Sequence, residues 1–249
     1  MPTWWGAEMF TPGERIVFFH AHPDDETLAT GALIAGLIAA GHPVAVVTAT
    51  RGERGAVMPA LAALSGAAFV AQRECELRRA LEDLGVADRA WLGTAPARTA
   101  GMPSRRYLDS GMRWVTDTVA GPGQDAGPDS LSLAPVEEAA ADLAAFLASY
   151  RAEVLISYDE LGGYGHPDHV ACQHIARAAA KDVRFIELVS AAHQSQAGVV
   201  ALGFPEQDGH LRRALASYPS QFAVHGDTVI HVGGQSQPIT TTCWLREIE

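Results

Sequence analysis

The sequence predicts an α/β fold, a Rossmann-like three-layer sandwich with a mostly parallel central sheet. Short apolar runs alternate along the chain with longer segments of helical period, the pattern of strands joined by crossover helices. Several runs, among them Ile16-Val17-Phe18-Phe19, Val44-Ala45-Val46-Val47 and Val154-Leu155-Ile156, are continuously apolar, as strands covered on both faces are. Two runs lead into polar clusters, His20-Ala21-His22-Pro23-Asp24-Asp25-Glu26 and Gly162-Gly163-Tyr164-Gly165-His166-Pro167-Asp168-His169. In an open α/β sheet, ligands and metals bind beyond the carboxyl ends of strands.

Arg15 to His20 is the first expected strand, closed by Pro23 and the acidic residues beside it. A helix is expected from Glu26 or Thr27 to Ala40, with Leu28, Leu33, Leu37 and Ala40 on its apolar face and Gly41 as its stop. Val44 to Ala49 reads as a buried strand, and Thr50 to Gly66 as a loop with a charged opening. Leu77, Leu81 and Leu84 share a face, which predicts a helix over 70–84. Ala90 to Leu92 is a short strand candidate, Gly93 to Gly111 a polar rim segment, and Gly121 to Pro128 a mobile surface loop. Pro135 to Tyr150 is a helix, with Pro135 in its first turn and Glu137 and Glu138 at its positive end. Then come a strand over 154–157, a helix over 168–180, a strand over 183–189, a loop around His193 and a helix over 206–216. Short strands are expected at 228–232 and 239–243.

The 249 residues suffice for one substantial core, so a single domain over 1–249 is expected, with 191–249 its least diagnostic part. A net charge of −11 argues against a nucleic-acid partner. Cys75, Cys172 and Cys243 are dispersed and odd in number, which suggests neither a thiolate zinc site nor a disulfide framework, and a reducing cytoplasm is the simplest setting. No signal-peptide pattern is visible near Met1. Thr27 to Thr50 lacks Asp, Glu, Lys and Arg, but Gly41-His42-Pro43 splits it into a helix and a strand, neither long enough to span a bilayer. Trp4 and Trp5 either cover a second copy in a homo-oligomer or pack on their own domain.

His22 and Asp25 lie three apart across a proline-bearing turn that can aim both side chains at one point; His169 completes three N/O ligands. Two histidines and one carboxylate leave a coordination position open, the pattern of a catalytic zinc site. Asp24 is the candidate general base, His166 faces the developing oxyanion, and Asp168 holds or tunes His166. The acid that protonates the leaving amine is His166 or protonated Asp24. The bland alternative is that His-Pro-Asp-Asp is a capped helix start, with Asp24 or Asp25 binding backbone amides. His20 reads as packed rather than as a fourth ligand. Tyr164 is either a substrate-facing hydroxyl or a packed loop ring.

The two clusters together resemble the LmbE-like, or PIG-L, family of zinc-dependent N-deacetylases. The likeness runs through Gly31, Gly41-His42, Arg51-Gly52-Glu53, Arg73 and Tyr107-Leu108-Asp109-Ser110-Gly111-Met112, covering roughly residues 15–190. Asp-Ser-Gly-Met and Gly-Gly-Tyr-Gly-His are most similar to the mycothiol branch, with its deacetylase and its conjugate amidase. The resemblance implies zinc held by His22, Asp25 and His169, Asp24 as base, His166 as oxyanion stabiliser and Asp168 as its support. It also implies substrate contacts from Arg73, Asp109, Tyr164 and Glu53. The expected reaction removes acetyl from an N-acetylglucosamine-containing small molecule. The alternatives are an amidase cleaving a larger acyl group, a catalytically silent sugar-binding protein and, for want of a phosphate-cradling glycine motif, a disfavoured nucleotide-binding oxidoreductase.

Overall fold

The computed structural model describes residues 9–116 and 120–248; Trp4 and Trp5 lie outside them. In chain order the elements are β1 (Ile16–His20), α1 (Asp25–Ala39), β2 (Val44–Thr48), α2 (Gly66–Leu84), β3 (Asp88–Trp91), β4 (Arg113–Trp114), β5 (Ala120–Gly121), α3 (Val136–Tyr150) and β6 (Val154–Tyr158). The single turn α4 (Gly162–Gly165) is followed by α5 (Pro167–Ala179), β7 (Arg184–Leu188), β8 (Val200–Gly203), α6 (Asp208–Ala216), β9 (Phe222–His225), β10 (Thr228–His231), β11 (Ser236–Pro238) and β12 (Thr242–Ile248).

The main sheet has the order β3-β2-β1-β6-β7-β12-β8. Its first five strands are parallel, and β12 runs antiparallel between β7 and β8. Every residue of β1, β2 and β6 is buried, which explains why these strands read as unbroken apolar runs. Ile16, Phe18, Val44 and Val46 pack in one core with Leu33 and Leu37 of α1, Leu77 and Leu81 of α2 and Leu211 of α6. On the other face Val17, Phe19, Ala45 and Val47 pack in a second core with Leu143 and Phe146 of α3 and Ile175 of α5. The three layers expected from the sequence are present. Among the described residues no helix is long and apolar enough to cross a membrane.

The departures are local. α2 begins at Gly66 rather than near Val70, because its Ala-rich first turn carries no periodic apolar signal. β3 covers Asp88–Trp91, with Asp88 and Arg89 exposed at its start. The segment expected as a helix from Glu206 opens with a 3₁₀ turn, Pro205–Gln207, before α6. β10 lies where a late strand is expected, but the second is displaced to Thr242–Ile248 and joins the main sheet. β8, β9 and β11 are unanticipated short strands, partly open to solvent and lacking a buried alternating face. Gly121 pairs with Arg113 in the antiparallel β4–β5 ladder rather than belonging to the loop expected over 121–128.

α1 approaches its neighbours through glycine. A Cβ on Gly36 would overlap the Phe204 ring, and one on Gly31 would come within 2.8 Å of Leu211 Cδ1. Gly→Ala in a helix interior ordinarily stabilises by about 1 kcal/mol. Gly36→Ala is expected to reverse that sign and destabilise by roughly 1–3 kcal/mol through overpacking, read from the midpoint of urea unfolding.

Candidate metal centre and active site

Strand order reverses where β1 lies beside β6, and crevices open at such points beyond the carboxyl ends of the strands. The loop after β1 carries His22, Asp24 and Asp25; the connection after β6 carries Tyr164, His166, Asp168 and His169. Adjacent strands therefore join two clusters far apart in sequence.

Asp25 Oδ2 accepts hydrogen bonds from the His22 amide at 2.9 Å and from the Tyr158 hydroxyl at 2.9 Å. It lies 3.1 Å from His22 Nδ1 and 3.2 Å from His169 Nε2. The expected trio of His22, Asp25 and His169 is thus brought together. His169 Nδ1 lies 3.2 Å from the Gly162 carbonyl, an acceptor only, so Nδ1 carries the proton and Nε2 is left with a lone pair. That Nε2 is buried and has no hydrogen-bond partner. An orphaned imidazole lone pair close to a carboxylate oxygen suits a cation, and N/O donors suit zinc. Gly162 has φ +60°, and a Cβ there would come within 2.9 Å of His169 Cβ, so glycine keeps the turn close to the ring.

The donor set is wider than the sequence reading. Donor atoms of His22, His166 and His169 lie within 4.8 Å of one another, as do those of His22, Asp109, His166 and Asp168. Burial disfavours charge on His22, but Asp109, Asp168 and Asp25 outweigh it and hold the imidazole well above its usual pKa. Burial likewise opposes charge on Asp25, yet His169 and His22 hold it well below the usual carboxylate range. The negative potential that would protonate His22 is equally one that attracts a divalent cation. This buried cluster of histidines and aspartates is a zinc-binding arrangement.

Asp24 has φ +103°, a backbone region that favours glycine. Its carboxylate makes no capping bond to α1, which removes the capped-helix reading for this residue. Instead Oδ2 pairs with Arg73 Nη2 at 3.2 Å, and the same nitrogen donates to the Pro23 carbonyl. Burial pushes Asp24 up to about 8, against the pull of Arg73 and with help from Asp25 and Glu26.

The His166 ring stands 4.7 Å from His22 and 5.1 Å from His169, centroid to centroid. The Asp168 amide donates to His166 Nδ1 at 3.2 Å, so the neutral ring carries its proton on Nε2. The Asp168 carboxylate turns elsewhere: Oδ2 meets His22 Nε2 at 3.1 Å and the Ser110 amide at 2.8 Å, while Oδ1 accepts from the Ser110 hydroxyl. Asp109 accepts from the amides of Arg54 and Gly111, and its own amide donates to Glu53, which also pairs with Arg106. Arg73 and Asp109 are buried, whereas Tyr164 is 61% exposed with its ring 5.2 Å from that of His169.

His20 is buried and bonded to Thr30 and Tyr158, away from the donor cluster. His193 pairs with Asp159, which with Ser190 ties down the loop after β6. The sequence reading missed Tyr158, whose hydroxyl holds Asp25 and whose ring stacks on His169 at 4.3 Å. Its position as the last residue of β6 was the available signal. It also missed Ser110, and Tyr218 and Gln221, which no local pattern links to the site.

The family model for PIG-L, described as GlcNAc-PI de-N-acetylase, matches residues 17–180. The chain belongs to the PIG-L family. Among its curated relatives, 1D-myo-inositol 2-acetamido-2-deoxy-alpha-D-glucopyranoside deacetylase of Kineococcus radiotolerans is 46% identical over 157 residues, 63% of this chain and 42% of the relative. The like-named protein of Kribbella flavida is 40% identical over 173 residues, 68% of this chain and 54% of the relative. The chain thus spans about half the length of these PIG-L relatives. The zinc-inhibited form of teicoplanin deacetylase Orf2 superposes with a TM-score of 0.61 at 20% identity, covering 94% of this chain and 99% of the other. GalB, the 4-carboxy-2-hydroxymuconate hydratase of Pseudomonas putida, superposes with a TM-score of 0.57 at 17% identity, covering 95% and 96%. Deacetylases and a hydratase share this fold, so the chemistry must be argued from the site.

Burial lowers His20 to about 4 and His166 to about 3, with neighbouring histidines adding to the shift at His166. Both rings are expected to stay neutral at pH 5 in metal-free protein, checked by NMR titration of the imidazole resonances. An unfolded chain takes up protons below about pH 6.5 that these folded rings refuse, so the pair makes the apoprotein less stable as pH falls from there toward 4.

Proposed function

We propose that this PIG-L chain is a zinc-dependent hydrolase that removes the N-acetyl group from an N-acetylglucosamine-containing small molecule, releasing acetate and a free amine. The observation that carries the reading is Asp25 Oδ2, 3.1 Å from His22 and 3.2 Å from His169, whose buried Nε2 has no hydrogen-bond partner. His22, Asp25 and His169 would hold the metal. Zinc supplies Lewis acidity at the amide carbonyl and acidifies water.

Asp24 takes the proton of the attacking water. Its raised pKa suits it to accept and release a proton near neutral pH. As the carbonyl carbon becomes tetrahedral, its oxygen gains negative charge, and His166 donates Nε2–H toward it. Collapse breaks the C–N bond and sends the proton to the leaving nitrogen. Protonated Asp24 is the better donor, because the neutral imidazole of His166 is a far weaker acid. Asp168 fixes the His166 tautomer through its amide and orients His22 through its carboxylate. Arg73, Asp109, Glu53 and Tyr164 are the substrate-binding candidates, with donors and acceptors suited to sugar hydroxyls.

The test is acetate and amine release from N-acetylglucosaminyl-inositol, N-acetylglucosamine, chitobiose and a mycothiol conjugate, using metal-stripped protein with and without zinc. Zinc-dependent release of both products is expected. Amine without acetate would identify an amidase acting on a larger acyl group, and zinc binding with no hydrolysis of any substrate would count against the reaction. Asp24→Ala is expected to lower kcat by about 10²–10⁴-fold with zinc content unchanged, whereas His169→Ala is expected to lose zinc, measured by metal analysis after dialysis.

A further inference from the structure

Behind Asp24 lies a buried assembly that the proton transfers above do not use. Glu26 is fully buried, and its carboxylate meets hydroxyls and an amide. Oε2 accepts from the Asp24 amide at 3.0 Å, and Oε1 accepts from Thr27 at 2.5 Å and from the Tyr218 hydroxyl at 2.6 Å. Arg73, which grips the Asp24 carboxylate and the Pro23 carbonyl, is itself held at Nη1 by Gln221 Oε1 at 2.7 Å. Gln221 Nε2 donates to Ser220 Oγ at 2.8 Å, and Ser220 donates to both oxygens of the buried Glu76. Three side chains of one turn, 218, 220 and 221, thus enter this assembly from beyond the residues matched by the family model.

We propose that the turn Tyr218–Gln221 is a positioning element for Asp24, acting through Glu26 on its backbone and through Arg73 on its carboxylate. The inference rests on the reading of Asp24 as proton acceptor. Two features distinguish this role from packing alone. The bonds converge on the amide and the carboxylate of a single residue. That residue holds a φ of +103°, a conformation that persists only where surrounding contacts over-determine it. The Tyr218 hydroxyl is spent on Glu26 and the Gln221 amide oxygen on Arg73, so their effect on turnover must pass through Glu26 and Arg73.

The experiment compares Tyr218→Phe, Gln221→Ala and Gln221→Glu with wild type in the zinc-loaded full chain. A misplacement of about 1 Å at a reacting group costs on the order of 10²-fold in rate. Tyr218→Phe and Gln221→Ala are each expected to lower kcat by about tenfold or more, with KM within about twofold and zinc content unchanged. Gln221→Glu keeps an acceptor for Arg73 and is expected to recover most of the loss. Hydrogen exchange is followed in parallel and needs no turnover: the Asp24 amide is expected to exchange faster in Tyr218→Phe, while the amides of 32–37 in α1 stay protected. Wild-type kcat in both variants, or a loss that follows zinc content or melting temperature, would overturn the proposal. If wild type hydrolyses nothing, the proposed reaction fails and the exchange result alone decides the positioning role. Faster exchange at Asp24 supports it, and unchanged exchange overturns it.

Discussion

The pairing of β1 with β6, with Ile16 opposite Val154, is the constraint from which the site follows. These strands are neighbours in the sheet although more than a hundred residues of chain, including the whole β2–β3 half, separate them. Because the chain leaves β1 toward one side and reaches β6 from the other, no crossover helix covers their shared carboxyl end. Both polar loops fill that gap. His22 meets Asp168, and Asp25 meets His169, because the register of two buried apolar strands leaves their ends level.

Charge then organises the cavity. Asp25, Asp109 and Asp168 surround His22, and their combined potential is met within the chain by imidazoles, hydroxyls and backbone amides. Arginine side chains are kept one layer out: Arg73 reaches Asp24, the Arg54 guanidinium donates to the backbone carbonyl of Asp109 and Arg106 pairs with Glu53. A guanidinium inside the cluster would compete for the carboxylates that a metal needs. At the periphery it steadies the residues that carry them.

The parallel half of the fold was legible because β1, β2 and β6 are buried on both faces, and such strands leave unbroken apolar runs. The two motif clusters were legible because their donors are packed closely in sequence. What escaped the reading is long-range. Ser110 meets Asp168 only once a polar rim segment folds over the crevice, and the Asp168 carboxylate then faces His22 rather than His166. Tyr158 ends a strand as unremarkable as its neighbours, yet its hydroxyl selects the orientation of Asp25. β8, β9 and β11 are short and partly solvated, so no strict alternation marks them, and β12 was misplaced because its burial comes from a sheet pairing that local pattern does not encode.

The late insertion of β12 has a consequence for biosynthesis. β8 pairs with β12 and with no other described strand, and Gly203 and Thr242, opposite one another in that ladder, are separated by all of α6 and the small β9–β11 sheet. As the chain leaves the ribosome, β1, β2, β3, β6 and β7 can assemble in order, each after β1 finding a partner in the main sheet already made. β8 cannot, and the following segment stays off the sheet until β12 emerges and slides between β7 and β8. Long-range pairings of this kind form slowly. The Tyr218–Gln221 turn lies inside the delayed segment, so a nascent chain would possess the metal-binding residues before it could hold Asp24 in its final pose. Under the proposed function, such an order of assembly would separate acquisition of zinc from the onset of hydrolysis.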